Sequence, residues 1–72
     1  MENRKVTKKD IEFGKRLGKV RKKAGFTQEK LAGVAHLSVT FIGLVETGKR
    51  RPSLKTLEKI ASALKVSPRE LW

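Results

Sequence analysis

The stretch TQEKLAGVAHLSVTFIGLVETG, Thr27 to Gly48, decides how this chain folds. It reads as two short helices joined by a tight turn. Thr27 is placed to cap the first, with Gln28 and Glu29 beside the free N–H groups of the opening turn. Leu31, Ala32 and Ala35 follow at helical spacing. His36-Leu37 breaks the pattern, with His36 filling the turn, and Ser38 can cap a second helix. Ile42 and Val45 form that helix's inner stripe. Gly48 stands just past its end, where a left-handed residue closes a helix. The small side chains of Ala32 and Ala35 let two helices cross closely.

The flanking sequence supplies the rest of a core. Upstream, Phe13, Leu17, Val20 and Ala24 recur at helical spacing, Ile11 can extend the stripe, and Gly25 ends it. Thr7-x-x-Asp10 loosely fits a capping box. Met1–Val6 has no periodicity and reads as part of a basic arm. The organisation drawn from this is an arm over residues 1–10 and a domain over residues 11–72. Downstream, Pro52 bars continuation of the preceding helix. Leu54, Leu57, Ile60, Ala61 and Leu64 then form the cleanest helical stripe in the chain. Ser67-Pro68-Arg69-Glu70 is a capping box with Pro at the first helical position, so a last helix is expected. No alternating strand pattern or internal repeat is present. The expectation is an all-α fold of five short helices, with Leu17, Val20, Leu31, Ile42, Val45, Leu57, Ile60 and Leu64 in its core. The second and third helices form a helix-turn-helix, whose second member can enter a DNA major groove.

Seventy-two residues make one domain. A core of that size supplies only ~3–5 kcal/mol. There is no Cys, which rules out disulfide scaffolds and Cys-based zinc sites. The longest apolar run, Phe41 to Val45, is far too short to span a membrane or to serve as a signal-peptide core. A soluble, cytoplasmic protein is expected. Net charge is +11, and its distribution is uneven. Residues 1–25 carry ten Lys/Arg and three acids, residues 26–47 one and two, and residues 48–72 seven and two. The helix-turn-helix is therefore nearly neutral between two basic flanks. That arrangement suits a polyanion whose phosphates border a groove.

Other chemistry finds little support. Gly43-Leu-Val-Glu-Thr-Gly48-Lys49-Arg50 approaches the phosphate-cradling loop of nucleotidases, but Arg50 stands where a hydroxyl must bind Mg²⁺ and no strand precedes it. His36 and Asp10 are each the only residue of their kind, too few for a metal site or a hydrolytic centre. No enzyme activity, cofactor, metal or small-molecule ligand is expected. The basic first helix could lie on a membrane surface, but the later helices need its apolar face for a core.

Taken together, Leu17-x-x-Val20-Arg21, Gly25-Phe26-Thr27-Gln28-x-x-Leu31-Ala32, Leu37-Ser38-x-x-x-Ile42-x-x-Val45-Glu46-x-Gly48 and Pro52-Ser53-Leu54-x-x-Leu57-x-x-Ile60-Ala61-x-x-Leu64-x-Val66 resemble the phage repressor/Cro-type helix-turn-helix family. The resemblance runs from about Phe13 to Trp72. It implies a five-helix domain, usually dimeric, that binds operator DNA as a transcriptional regulator, typically a repressor. It implies base-facing positions at Val39, Thr40, Gly43 and Leu44, and phosphate contacts at Arg21, Gln28, Thr47 and Lys49. The neighbouring cations Lys22, Arg50 and Arg51 are expected to join them, with help from Arg4-Lys5. An ion pair between Arg21 and Glu46 is also implied.

The base-facing set departs from the family's habit of Arg, Gln, Asn or Ser there. None of its four side chains can form the bidentate pairs that read guanine or adenine. Thr40 offers one hydrogen bond, and Val39 and Leu44 can meet thymine methyls. Gly43 costs roughly 1 kcal/mol of helix propensity, yet permits close backbone approach. An alternative follows from this apolar face: an interaction module, antitoxin-like or an assembly partner, docking a protein. The homodimer expected on the DNA reading joins through the C-terminal end, with Leu71 and Trp72 as apolar anchors.

Overall fold

Four hydroxyl residues, Thr7, Thr27, Ser38 and Ser53, set the helix starts. In the computed structural model, which describes residues 5–71, each has extended backbone and accepts the N–H three residues on. The helices that follow are α1 (Lys8–Lys23), α2 (Gln28–Ala35), α3 (Val39–Glu46) and α4 (Leu54–Leu64). At the first, the capping box is complete. The Asp10 N–H reaches the Thr7 hydroxyl at 3.1 Å, and the Asp10 carboxylate accepts the Thr7 N–H at 3.1 Å. Residues 8–10, inside the arm drawn over residues 1–10, form the first turn of α1, the start that the Thr7-x-x-Asp10 capping box allows. Arg4, also assigned to the arm, lies outside the described residues.

The helix ends share one closure. At each, an N–H reaches back to a carbonyl five residues earlier: Phe26 to Arg21, Leu37 to Ala32, Lys49 to Leu44 and Val66 to Ala61, at 2.8–3.0 Å. The residue between is left-handed. Gly25 and Gly48 take that conformation freely, while His36 and Lys65 adopt φ of 59° against steric resistance. His36 is thus the exposed pivot of the turn between α2 and α3.

The fifth helix is corrected to a single 3-10 turn, Pro68–Leu71. Its backbone bond runs from Glu70 N–H to the Ser67 carbonyl at 2.9 Å, the tighter i→i+3 spacing. Only half of the expected capping box forms, the Glu70 carboxylate accepting the Ser67 N–H. Four α-helices, not five, make up the described residues, and no strand accompanies them.

One core cluster joins these elements. Leu17, Leu31, Ile42, Val45, Leu57, Ile60 and Leu64 are buried as expected, together with Ala32, Ala35 and Ala61. Val20, expected with them, is half-buried and packs from the edge. Leu71 requires the opposite correction. Expected at a subunit interface, it is fully buried within its own chain, where the 3-10 turn folds it against α1 and α4. Trp72 lies outside the described residues. Among those residues no helix is long and apolar enough to cross a membrane.

Candidate nucleic-acid interface

Helix α3 is held from behind and open in front. Ile42 and Val45 are fully buried, whereas Val39, Thr40 and Thr47 are exposed and Gly43 and Leu44 half-buried. The four positions expected to face bases thus lie away from the buried stripe, on the side that also carries Thr47. Its two edges are built differently.

The first edge is an ion-pair scaffold. Arg21 Nε donates to Glu46 Oε2 at 2.6 Å, and Nη2 donates to Oε1 at 3.1 Å, a two-pronged fork. Arg21 Nη1 donates to the Phe26 carbonyl at 2.8 Å. Gln28 Nε2 then donates to the same Glu46 Oε1 at 3.0 Å. One glutamate thereby ties the end of α1, the start of α2 and the end of α3 together. The hydrogen bond to Glu46 raises the Arg21 pKa above its ordinary value, against the opposing effect of burial.

The pair implied by the resemblance is thus present, and it conflicts with the phosphate contact also expected of Arg21. That side chain is buried, and three of its N–H groups are held by Glu46 and the Phe26 carbonyl.

Gly14 makes this scaffold possible, and Gly18 lies beside it. A Cβ at Gly14 would clash with the Glu46 carbonyl and lie 2.6 Å from the Val45 carbonyl; one at Gly18 would come within 3.4 Å of Glu46 Oε1. Helices α1 and α3 thus meet on bare backbone. Sequence reasoning passed over both positions, although glycines four residues apart inside one helix are a signal of close approach. Each lowers helix propensity by about 1 kcal/mol relative to Ala.

The second edge is the loop after α3, which carries cations. Its anchor is Asp10, which sequence reasoning used only as a helix cap. Arg51 Nε and Nη2 reach Asp10 Oδ1 at 3.1 and 3.0 Å. Gly48 lies tight against Ile11, where a Cβ would come within 3.1 Å of the Ile11 backbone. The Arg50 guanidinium stands 5.4 Å from the centre of the Phe41 ring, a cation–π contact that steadies it. Lys22 and Lys49 are exposed.

Thr47 also departs from expectation. Its hydroxyl shares a single hydrogen between the Gly43 and Leu44 carbonyls, 3.1 Å from each. A hydroxyl has one hydrogen, and a phosphate only accepts. In this conformation Thr47 caps α3 and offers a phosphate no donor.

This arrangement defines a helix-turn-helix regulator, an exposed short helix on a rigid support beside a basic loop. A family description, "Helix-turn-helix", matches residues 17–71, and the chain belongs to that family of DNA-binding transcription regulators. It is 42% identical over 60 residues to the control protein C.BamHI of Bacillus amyloliquefaciens, covering 82% of this chain and 74% of that one. Its fold matches the restriction-modification controller protein C.AhdI of Aeromonas hydrophila with a TM-score of 0.89 and 39% identity, over 92% of this chain and 100% of that one. It also matches the controller protein C.Esp1396I, solved as a tetramer with its natural 35 base-pair operator. There the TM-score is 0.81 and the identity 31%, over 90% of this chain and 86% of that one.

Proposed function

We propose that this chain is a controller-type regulator that binds an operator as a dimer, with α3 in the major groove. The observation that carries this reading is the presentation of α3. Its outward face is uncharged, and Lys22 in the last turn of α1 and Lys49, Arg50 and Arg51 in the loop after α3 are exposed. A groove-reading helix needs neutral contacts toward base edges and cations toward the phosphates on either side. Similarity to controller proteins along most of the chain supports the same role. No specific observation favours the protein-docking alternative. A cytoplasmic location fits a regulator that must reach DNA.

Roles are assigned accordingly. Thr40 supplies the hydrogen-bonding contact of α3, and Val39 and Leu44 supply apolar contacts to thymine methyls. Gly43 lets the backbone approach. Lys22, Lys49, Arg50 and Arg51 bind phosphates, with Gln28 at the groove edge. Arg21 and Thr47 act through the scaffold and the α3 cap. With the four cations engaged in each protomer of a dimer, log affinity should fall against log salt with a slope of about −7. The recognition helices of a two-fold dimer would stand ~34–36 Å apart. Leu71 is buried in its own chain, so a C-terminal dimer contact must use exposed residues around the 3-10 turn together with Trp72.

The test is selection of bound sequences from random duplexes, followed by titration of the winner and of random DNA in rising salt. A paired half-site motif, a steep slope, and loss of preference but not of random binding in Thr40→Ala are expected. Recovery of no preferred sequence would reject the proposal.

A further inference from the structure

Gly43 has no structural explanation. It lies inside α3 with no positive φ, so no backbone conformation demands glycine. A Cβ there would find a single neighbour within 4 Å, Gln28 Oε1 at 4.0 Å. Packing would accept a methyl group, and helix propensity favours one. Gly14 is the contrast: in the same fold it is glycine because a neighbouring backbone occupies the space.

The neighbour across Gly43 is unusually well oriented. Gln28 Nε2 donates to Glu46 Oε1 at 3.0 Å, and Glu46 is itself held by the Arg21 fork. Because a carboxylate only accepts, the orientation of the amide is fixed. Its nitrogen faces Glu46, and its oxygen lies on the side of Gly43. One carboxamide N–H and the carbonyl oxygen remain for another partner. An Asn or Gln presenting this donor and acceptor is the group that pairs with the N6 and N7 edge of adenine in the major groove. None of the outward side chains of α3 can do so.

From this geometry we infer that Gln28, although it belongs to α2, reads an adenine across the bare surface of Gly43. This rests on the proposed operator binding and adds a specificity-determining residue to it. The Arg21–Glu46 pair orients the reader, and the missing side chain at position 43 opens its path to the base. A methyl group at 43 would stand 4.0 Å from Gln28 Oε1, beside the approach that this reading gives the base.

The experiment uses the full chain and the sequence that the wild type selects from random duplexes. If wild type selects nothing, the operator-binding reading fails before this inference is tested. Given a selected site, Gln28→Ala should lose preference for adenine at one position in each half-site, weakening the operator about tenfold. Preferences elsewhere should be retained. Gly43→Ala should lose the same preference while its thermal midpoint stays level or rises. In the double variant the two losses should not add, since each removes the same contact. Unchanged base preference in Gln28→Ala would leave it as a phosphate contact and overturn the inference. So would additive losses in the double variant, or a Gly43→Ala protein that binds as wild type does.

Discussion

The two arginine–carboxylate pairs that tie α1 to the end of α3 and to the loop after it use the same charges to opposite ends. In Arg21–Glu46 both side chains are withdrawn from water, 9% and 11% exposed. In Arg51–Asp10 only the acid is withdrawn, at 8%, while the arginine is 64% exposed. The first pair uses up its guanidinium inside the protein. The second lets a buried acid hold one edge of a guanidinium and leaves the rest in solvent, where a phosphate can reach it. A charged pair therefore serves as a brace or as a mount for a binding group, according to which partner is covered.

The largest expected effect breaks the brace. Arg21→Met leaves Glu46 charged, mostly buried and without its fork, a loss of ~3–5 kcal/mol. For a domain of this size that is comparable to the whole stability. Denaturant midpoints for Arg21→Met, Glu46→Gln and the double variant measure the coupling. A coupling energy of zero would reduce the fork to a surface contact. The raised Arg21 pKa gives the sign of the pH dependence. A cation with a raised folded-state value adds stability that is complete below its unfolded value and lost only as pH rises through the folded one. For a guanidinium this range is strongly alkaline, so Arg21 titration should leave stability unchanged between pH 6 and 9, within roughly 0.3 kcal/mol in urea melts.

A smaller effect tests why the brace fits. Gly14→Ala adds a methyl where the α3 carbonyls already stand, and should cost ~1–3 kcal/mol despite the better helix propensity of alanine. Gly43→Ala in the same assay should move stability the other way. Matching signs at the two positions would remove the distinction between a glycine kept for packing and one kept for access.

The smallest stability effect belongs to the mount. Arg51→Ala should cost less than Arg21→Met, about 1–2 kcal/mol, because the arginine gives up little burial and the buried Asp10 carboxylate keeps the Thr7 N–H. Its signature lies in binding, with a salt slope flatter by about 0.9 for each protomer. Unchanged slope and a cost equal to that of Arg21→Met would make the two pairs equivalent.

Much of this molecule was legible because its signals are local. Thr27, Ser38 and Gly48 mark helix ends through bonds and backbone angles set within a few residues. The apolar stripes of the helices repeat every turn, and seven of the eight expected core residues are buried. The fifth helix was over-read because a capping box signals where a helix can start, not how far it continues. Leu71 was misplaced because nothing local distinguishes an apolar residue folded inward from one left at the surface.

An all-helical fold, the position of the helix-turn-helix and the charge contrast around it can be read along the chain alone. Periodicity, capping and net charge are properties of the chain read in order. Which arginines are withdrawn and which are exposed depends on contacts made across the fold. Arg21 and Arg51 look alike in sequence, but one meets Glu46 from 25 residues away in a buried slot between helices and the other meets Asp10 from 41 residues away at the surface. The same holds for glycine, where Gly14 faces carbonyl oxygens and Gly43 faces open space beside Gln28. Burial and partnership depend on what the fold brings across such distances, and that decides whether a charge braces the helix or reaches toward the DNA.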